Sequence, residues 1–176
     1  EIGRMTEVLR SAGATAISVS NSEAERLRFW SGRKNAFPAS GRISPDYMCM
    51  DSTIPRKRLA DILLAIADME KKYQLRCANV FHAGDGNLHP LVMFNTNVPG
   101  EMEKAEKAGE DILRLCVEVG GCLTGEHGVG IEKRDLMTCQ FNEVDLAQQM
   151  RVRGVFDPLW LLNPAKVFPL EGRLAA

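Results

Sequence analysis

Residues 82–89 of this 176-residue chain, HAGDGNLH, decide how the fold is organised. Asp85-Gly86 is a strong signal for a two-residue β-hairpin turn. Apolar runs flank this turn on both sides, at residues 77–81 and 88–94. A hairpin closed by Asp85 and Gly86 pairs His82 directly with His89. Side chains opposed in this way have Cβ atoms roughly 5 Å apart, which allows two imidazoles to bind one metal ion.

The third histidine of the chain lies in a second motif, residues 124–130, TGEHGVG. Neighbouring residues in extended backbone point to opposite sides, so either Glu126 or His127 can join the metal while the other faces a substrate. Two histidines and one carboxylate form a ligand set that zinc and several other first-row divalent ions use. The glycine order, G-x-x-G-x-G, differs from the dinucleotide fingerprint, so the motif gives little support to a phosphate cradle.

Composition excludes several classes of function. The 22 basic and 23 acidic side chains nearly balance, so nothing indicates nucleic-acid binding. No apolar run approaches the roughly 20 residues that a membrane span needs, and we expect membrane contact to be peripheral at most. The five cysteines are odd in number and form no C-x-x-C pair, which favours reduced thiols and a cytoplasmic location. The chain opens at Glu1 in helix-like sequence, which predicts a piece of a longer protein.

Two amphipathic helices are predicted on either side of the hairpin. The first begins at Pro55, and the second follows Pro99-Gly100 and ends at Gly120-Gly121. Apolar residues of the first recur at helical spacing, at Leu59, Ile62, Leu63, Ile66, Met69 and Tyr73. In the second, the residues expected to point inward are Met102, Ala105, Ile112, Cys116 and Val119.

Shorter elements complete the pattern. Ser22 and Glu25 form a capping box that predicts a helix up to Pro38. Strands are expected at residues 15–19, 47–51 and 122–124. The order strand, helix, hairpin, helix, strand is typical of an α+β fold, in which helices pack on one face of a largely antiparallel sheet and leave the other face free for a partner.

With these motifs in place, the chain resembles the carboxy-terminal domain of the FAD-linked oxidases related to vanillyl-alcohol oxidase, and in particular the FAD-linked subunits of bacterial glycolate oxidases. The resemblance is carried by WSGRKNAFP (30–38), GRISPDY (41–47), DSTIP (51–55), NVFHAGDGNLHP (79–90), GGCLTGEHGVG (120–130) and DPLWLLNPAK (157–166). It implies that residues 1–176 form a ferredoxin-like cap domain over an FAD bound mainly by an amino-terminal domain of the same protein.

The same resemblance implies roles for the residues of the two motifs. His82, His89 and Glu126 match the family's ligands for a divalent metal, which is Zn, Mn or Fe. His127 matches its catalytic base. A Lewis acid and a base then converge on the hydroxyl oxygen of a substrate that loses its Cα hydride to the flavin.

Four further residues match family positions. Arg33 matches the anchor for the substrate carboxylate, a role that suits the planar guanidinium fork and makes this arginine part of the catalytic set. Tyr47 and Asn87 match substrate-binding positions. Asn163 matches the place where the tail returns to the flavin domain, on the cofactor side.

Two departures from the family pattern stand out. Ala165 occupies a position where relatives usually have glycine. The segment 47–51 holds Met48, Cys49 and Met50 where dicarboxylate-oxidising relatives place a lysine, which weakens the case for a hydroxyglutarate-like substrate.

The function implied is a flavin-dependent oxidation of a small 2-hydroxy acid to the 2-oxo acid, of the glycolate oxidase or D-lactate dehydrogenase type. We expect electrons to pass to partner subunits, through which the enzyme reaches the inner membrane peripherally, and we expect this piece alone to be inactive. Two alternatives remain open at this point. One is a zinc-dependent hydrolase with the same three ligands, and the other is a non-catalytic assembly domain whose histidine hairpin is structural.

Overall fold

The computed structural model describes residues 1–170 in two units, one comprising residues 1–39 and the other beginning at Ser40. Three short 3-10 helices occur at Ser40–Arg42, Arg56–Arg58 and Arg134–Leu136. The remaining elements are α1 (Ile2–Ser11), α2 (Glu23–Ala39), β1 (Asp46–Cys49), β2 (Ser52–Thr53), α3 (Leu59–Tyr73), β3 (Arg76–His82), β4 (Asn87–Phe94), α4 (Glu101–Glu118), α5 (Met137–Gln140) and α6 (Glu143–Phe156).

The first unit contains α1 and α2. The predicted cap of α2 is present, since the Glu25 N–H donates to Ser22 Oγ at 3.2 Å, and Pro38 lies in the last helical turn. The strand predicted at residues 15–19 is wrong, because this segment is irregular. Every strand of the described residues belongs to the second unit, so this segment has no strand of its own unit with which to share backbone hydrogen bonds.

The second unit is built around β4, which pairs antiparallel with β3 on one side and with β1 and β2 on the other. The α+β prediction is therefore confirmed. The strand predicted at residues 122–124 is reduced to one bridge, between Thr53 and Cys122. The ladder stops there because the next N–H, that of Leu123, donates to the side chain of Gln140 at 2.8 Å.

The strands β1 and β2 are one edge strand interrupted at Met50 and Asp51, because both pair with β4 in the same register. Pro90 explains the interruption. Its carbonyl accepts from the Met50 N–H at 3.0 Å, but proline has no N–H to return to Met50. Continuing the register across the break places Asp51 opposite His89.

The hydrophobic core lies between one face of the sheet and the helices α3 and α4. Leu88, Val92 and Phe94 supply the sheet side, and we call this side the helix face. The two helices supply Ile62, Ile66, Ala105, Ile112, Leu113 and Cys116. Burying each large aliphatic side chain contributes about 1.5–3 kcal/mol to folding, so this layer fixes how the helices sit on the sheet.

The apolar stripe predicted for α4 extends one turn too far. Met102 is 46% exposed, whereas Ala105 is fully buried. The helix is amphipathic beyond that point, and no helix within residues 1–170 is long and apolar enough to cross a membrane.

The tail that follows α6 has an unusual backbone. Four residues that are not glycine have positive φ: Trp160, Asn163, Ala165 and Val167. Ala165, at φ +59°, is the alanine that departs from the glycine expected from the resemblance. Left-handed backbone costs an L-residue with a Cβ roughly 1–2 kcal/mol, so alanine stores strain here that glycine relieves.

We predict that Ala165→Gly raises the free energy of unfolding by about 1 kcal/mol, because the strain at this residue disappears. Ala60→Gly is the matched control, since Ala60 lies exposed in α3 and glycine there lowers helix stability by about 1 kcal/mol. Urea denaturation of both variants measures the difference. A loss of stability in both variants contradicts the strain at residue 165.

Candidate metal and substrate site

The sheet has two different faces because side chains alternate along each strand. The side of β4 that points away from α3 and α4 is called the site face. It includes Asn87, His89, Leu91 and Met93 on β4, with Tyr47 and Cys49 on β1 and His82 on β3 in register beside them.

The hairpin differs in register from the predicted one. The N–H groups of Asp85 and Gly86 both donate to the carbonyl oxygen of His82, at 3.0 and 3.1 Å, so the loop holds four residues rather than two. His82 pairs with Asn87, and the predicted direct pairing of His82 with His89 is wrong. The shift of two residues keeps both histidines on the site face, and their ring centroids lie 5.6 Å apart.

Tertiary contacts explain the larger loop. The carbonyl oxygen of Gly86, a residue at φ +77°, accepts a hydrogen bond from the Ile54 N–H just beyond β2 at 2.9 Å. A Cβ on residue 86 would lie 2.3 Å from the carbonyl oxygen of Ile54. Gly86 therefore lies against Ile54, the residue that follows β2, and is the last residue of the loop. The sequence had placed it at the centre of a two-residue turn.

The glycine-rich turn at residues 124–130 brings a carboxylate and the third imidazole to the two histidines. Glu126 Oε1 lies 3.1 Å from Nε2 of His89, 3.8 Å from Nε2 of His82 and 3.9 Å from Nε2 of His127. The rings of His89 and His127 are stacked, with centroids 5.0 Å apart. His82, Glu126 and His127 are each about half exposed, so the group is open on one side.

The burial of His89 distinguishes it from the other two histidines. Its residue is 6% exposed, and its Nε2 is buried with no hydrogen-bond partner among residues 1–170. Burial lowers the pKa of His89, which favours the neutral imidazole that metal ions bind. An unpaired buried nitrogen directed at a carboxylate oxygen fits a divalent cation as the missing partner.

Sequence reasoning missed Asp51, which organises the turn. Its side chain is fully buried, and it accepts hydrogen bonds from Thr124 Oγ1 at 2.6 Å and from the backbone N–H groups of Gly125, Glu126 and His127 at 2.9–3.1 Å. The register of the edge strand, which places this carboxylate opposite His89, is the observation that identifies Asp51. Local sequence does not contain that register, because it depends on the pairing of β1 with β4.

Lys133 is the counter-cation of Asp51. Its buried Nζ donates to the Asp51 carbonyl oxygen at 2.5 Å and lies 3.5 Å from Oδ2 of the same residue. Burial alone raises the pKa of Asp51, but the hydrogen bonds from Thr124 and the amides, together with the charge of Lys133, lower it below its usual value. Burial lowers the pKa of Lys133, and the Asp51 carboxylate opposes that effect.

Ligand atoms of Asp51, His89, Glu126 and His127 all lie within 4.8 Å of one another. The backbone donors already occupy Asp51 Oδ2. Of the three predicted ligands, His89 and Glu126 belong to this group, whereas His82 lies outside it, with its Nε2 3.8 Å from Glu126 Oε1.

Asn87, predicted to bind substrate, lies on the site face and is buried against the turn. A Cβ on Gly125 would lie 2.7 Å from the amide atoms of Asn87, so only glycine lets the turn pack this closely. The side-chain Oδ1 of Asn87 is buried and has no hydrogen-bond partner in the described part of the chain. This oxygen therefore lies against the turn without accepting a hydrogen bond from the described residues.

The other predicted substrate and cofactor residues lie in three different places. Tyr47 is exposed on β1, on the site face and four residues along the strand from Asp51. Asn163 is exposed in the tail, which Arg134 and Gly130 bind through the backbone of Ala165 and Val167. Arg33 lies on α2 in the first unit and lines a shallow pocket with Ser20, Arg26, Phe29 and Trp30.

The structure shows which face of the sheet each side chain of residues 48–50 occupies. Met48 and Met50 point to the helix face, and only Cys49 points to the site face. Cys49 lines a cavity of about 350 Å³ together with His127, Lys133 and Lys166. Burial, and then the charge of Asp51, raise the pKa of Cys49 to about 11, so this wall of the cavity carries a neutral thiol.

Comparison with known proteins shows the family to which the chain belongs. Residues 1–167 match the family of FAD linked oxidases, C-terminal domain, and the chain belongs to that family.

Among its relatives, the chain is 55% identical to glycolate oxidase subunit GlcD of Escherichia coli (strain K12), over 98% of this chain and 34% of that protein. It is 31% identical to glycolate oxidase subunit GlcD of Bacillus subtilis, over 98% of this chain and 37% of that protein. It is 30% identical to the mitochondrial D-lactate dehydrogenase (cytochrome) of Kluyveromyces lactis, over 89% of this chain and 28% of that protein. The chain thus spans about a third of the length of these relatives.

We predict that Gly125→Ala destabilises the second unit by about 1–3 kcal/mol, because the new methyl group overlaps the buried Asn87 amide. Gly84→Ala is the control, since a Cβ at residue 84 meets nothing within 4 Å and φ there is not positive. Thermal denaturation followed by circular dichroism compares the two. Equal melting temperatures contradict the close packing of the turn on Asn87.

Proposed function

We propose that residues 1–176 form the substrate-side, carboxy-terminal domain of a flavin-dependent oxidoreductase that converts a small 2-hydroxy acid to its 2-oxo acid. Membership of the FAD-linked oxidase family supports the cofactor and the reaction class. The names of the relatives, glycolate oxidase and D-lactate dehydrogenase, support a short 2-hydroxy acid as substrate.

The observation that carries the proposal is the environment of one oxygen atom. Three imidazole Nε2 atoms lie within 3.1–3.9 Å of Glu126 Oε1, and one of them, on His89, is buried without a partner among residues 1–170. We assign His82, His89 and Glu126 as ligands of a divalent metal, which is Zn, Mn or Fe. Imidazole and carboxylate donors suit all three ions.

In this proposal the chain's own residues bind the acid and remove its proton. Arg33 binds the substrate carboxylate through its guanidinium, while Tyr47 and Asn87 border the substrate. His127, half exposed beside Glu126, accepts the hydroxyl proton through Nε2. When bound, the metal ion would supply Lewis-acid stabilisation of negative charge and FAD would supply the acceptor for the Cα hydride. Loss of that hydride and of the hydroxyl proton converts the 2-hydroxy acid to the 2-oxo acid.

The proposal also assigns partners. An amino-terminal domain of the same protein holds most of the FAD, and Asn163 lies where the tail meets it. The chain covers only 34% of its Escherichia coli relative, which leaves room for such a domain. Electrons then pass from the flavin to further subunits, and we propose a cytoplasmic enzyme that reaches the inner membrane only through those partners.

We predict that His127→Ala, in the full-length protein, lowers the rate of flavin reduction by roughly 10² to 10⁴-fold while metal and FAD content stay near wild type. Glu126→Ala, one residue away, is the matched variant, and it loses the metal. Stopped-flow reduction by glycolate and D-lactate, with elemental analysis of both variants, separates the roles. Metal loss on His127→Ala but not on Glu126→Ala exchanges the two assignments, and normal reduction in both overturns the proposed function.

We predict that Arg33→Ala lowers kcat/KM for the 2-hydroxy acid by about 10- to 100-fold, because a charge-assisted hydrogen bond to the carboxylate is lost. Arg28→Ala is the control on the same helix, since Arg28 forms an exposed ion pair with Glu25. Steady-state kinetics of both variants test the anchor. Equal effects of the two substitutions contradict a specific role for Arg33.

A further inference from the structure

The turn at residues 124–130 contains no helix or strand, yet it carries Glu126 and His127. Three of its seven residues are glycine, and glycine has more backbone freedom than any other residue. A segment of this composition holds a fixed conformation only when other groups bind its backbone. The structure therefore requires an anchor for the turn outside the turn itself.

The carboxylate of Asp51 is that anchor. Its Oδ2 accepts from Thr124 Oγ1 at 2.6 Å and from three consecutive backbone N–H groups, those of Gly125, Glu126 and His127. Three successive amides aimed at one oxygen fix the direction of the chain at each residue, and hydrogen bonds to an ionised acceptor are stronger than neutral ones. The two functional side chains therefore leave the turn in set directions.

Thr124 extends the anchor to the far side of the turn. Its Oγ1 donates to Asp51 and at the same time accepts from the Gly128 N–H at 2.8 Å. One hydroxyl thus closes the turn around Glu126 and His127. Its methyl group takes no part in these bonds, so serine can replace threonine without losing either of them.

Asp51 is itself fixed on both sides. The edge strand holds the backbone before and after it, through Met50 N–H to Pro90 and through the pairing of Ser52 with Leu88. Lys133 binds its carbonyl oxygen from the opposite side. A fully buried carboxylate with this set of donors is an immobile reference point between the sheet and the turn.

The same saturation argues against Asp51 as a metal ligand. Oδ2 already receives four hydrogen bonds. Oδ1 accepts a long bond from the Glu126 N–H at 3.3 Å and lies 3.5 Å from Nε2 of His89. A carboxylate that binds the ligand-bearing backbone from behind orients the ligands, as the groups surrounding metal sites commonly do.

We propose that Asp51 is the positioning residue of this site, which directs Glu126 towards His89 Nε2 and His127 against the His89 ring by binding the turn's backbone. Its effect on metal binding rests on the proposed function. Its effect on the conformation of the turn does not, so the two are tested by separate measurements.

The test compares Asp51→Asn with Asp46→Asn in the full-length protein. Asp46 is the matched control, because its carboxylate similarly accepts from a backbone N–H and a hydroxyl, both of Thr96, but at the far end of β1. Asparagine has the same shape, but it has no charge and presents N–H groups to the backbone amides.

Two readouts are taken. Hydrogen exchange of the amides at residues 125–127 is expected to accelerate roughly 10- to 100-fold in Asp51→Asn, with the amides of α3 and α4 unchanged. Titration with Co²⁺, followed by its visible absorption, is expected to show affinity about 10- to 100-fold weaker and an altered spectrum. Asp46→Asn leaves both readouts at wild type.

Thr124→Val and Thr124→Ser keep the proposal falsifiable if Asp51→Asn does not fold. Valine removes the hydroxyl and is expected to reproduce the faster exchange, whereas serine restores wild-type exchange. Unchanged exchange at residues 125–127 in Asp51→Asn, or equal exchange in the two Thr124 variants, overturns the proposal. Wild-type protein that takes up no Co²⁺ overturns the metal assignment instead, and the exchange experiment still decides the role of Asp51.

Discussion

The alternation of side chains along β4 is the constraint on which the second unit depends. Every residue of this strand is buried, so both of its faces must be covered. One face, with Leu88, Val92 and Phe94, lies against α3 and α4, and the other carries Asn87 and His89. A shift of one residue would exchange the two sets and place imidazole and amide groups in the core. The packing of the helices and the location of the site are therefore fixed by a single register.

A buried charged group connects that register to the chemistry. Asp51 lies opposite His89 because Pro90 interrupts the edge strand without changing its register. An unpaired carboxylate at this depth is costly, and here the cost is offset by backbone amides and by Lys133. The groups that stabilise the buried charge are those of the turn bearing Glu126 and His127. Stability of the carboxylate and geometry of the site thus have the same physical origin.

At several positions of this unit, a close contact or a positive φ restricts which residue types fit without strain. Gly125 lies against Asn87 with no room for a Cβ, and Gly86 meets the carbonyl of Ile54 in the same way. Ala165 is the reverse case, since it carries a Cβ at positive φ in a tail that contacts the turn region through Val167 and Gly130. The departure from glycine at residue 165 therefore concerns backbone strain more than contacts.

Much of the fold followed from local sequence, because its signals are local. The hairpin, α3, α4 and the capped α2 were predicted from turn residues, apolar periodicity and a capping box, and the α+β class followed from their order. The family resemblance also came from sequence, since its motifs are contiguous. Residues 15–19 show the limit, because β propensity without a partner strand does not make a strand.

Tertiary structure decided the rest. The Ile54 N–H beyond β2 binds the Gly86 carbonyl oxygen and enlarges the hairpin loop, so His82 pairs with Asn87. Both histidines stay on one face because side chains alternate with a period of two along a strand. The role of Asp51 depends on contacts across more than 70 residues of chain, with Thr124 to His127, which no local pattern encodes. Sequence alone supplied the residue types of the candidate site, because the imidazole and carboxylate groups belong to the side chains themselves. Their distances and the carboxylate that holds them arise only when β1, β4 and the turn at residues 124–130 meet, because hydrogen bonds between distant segments depend on the packed fold.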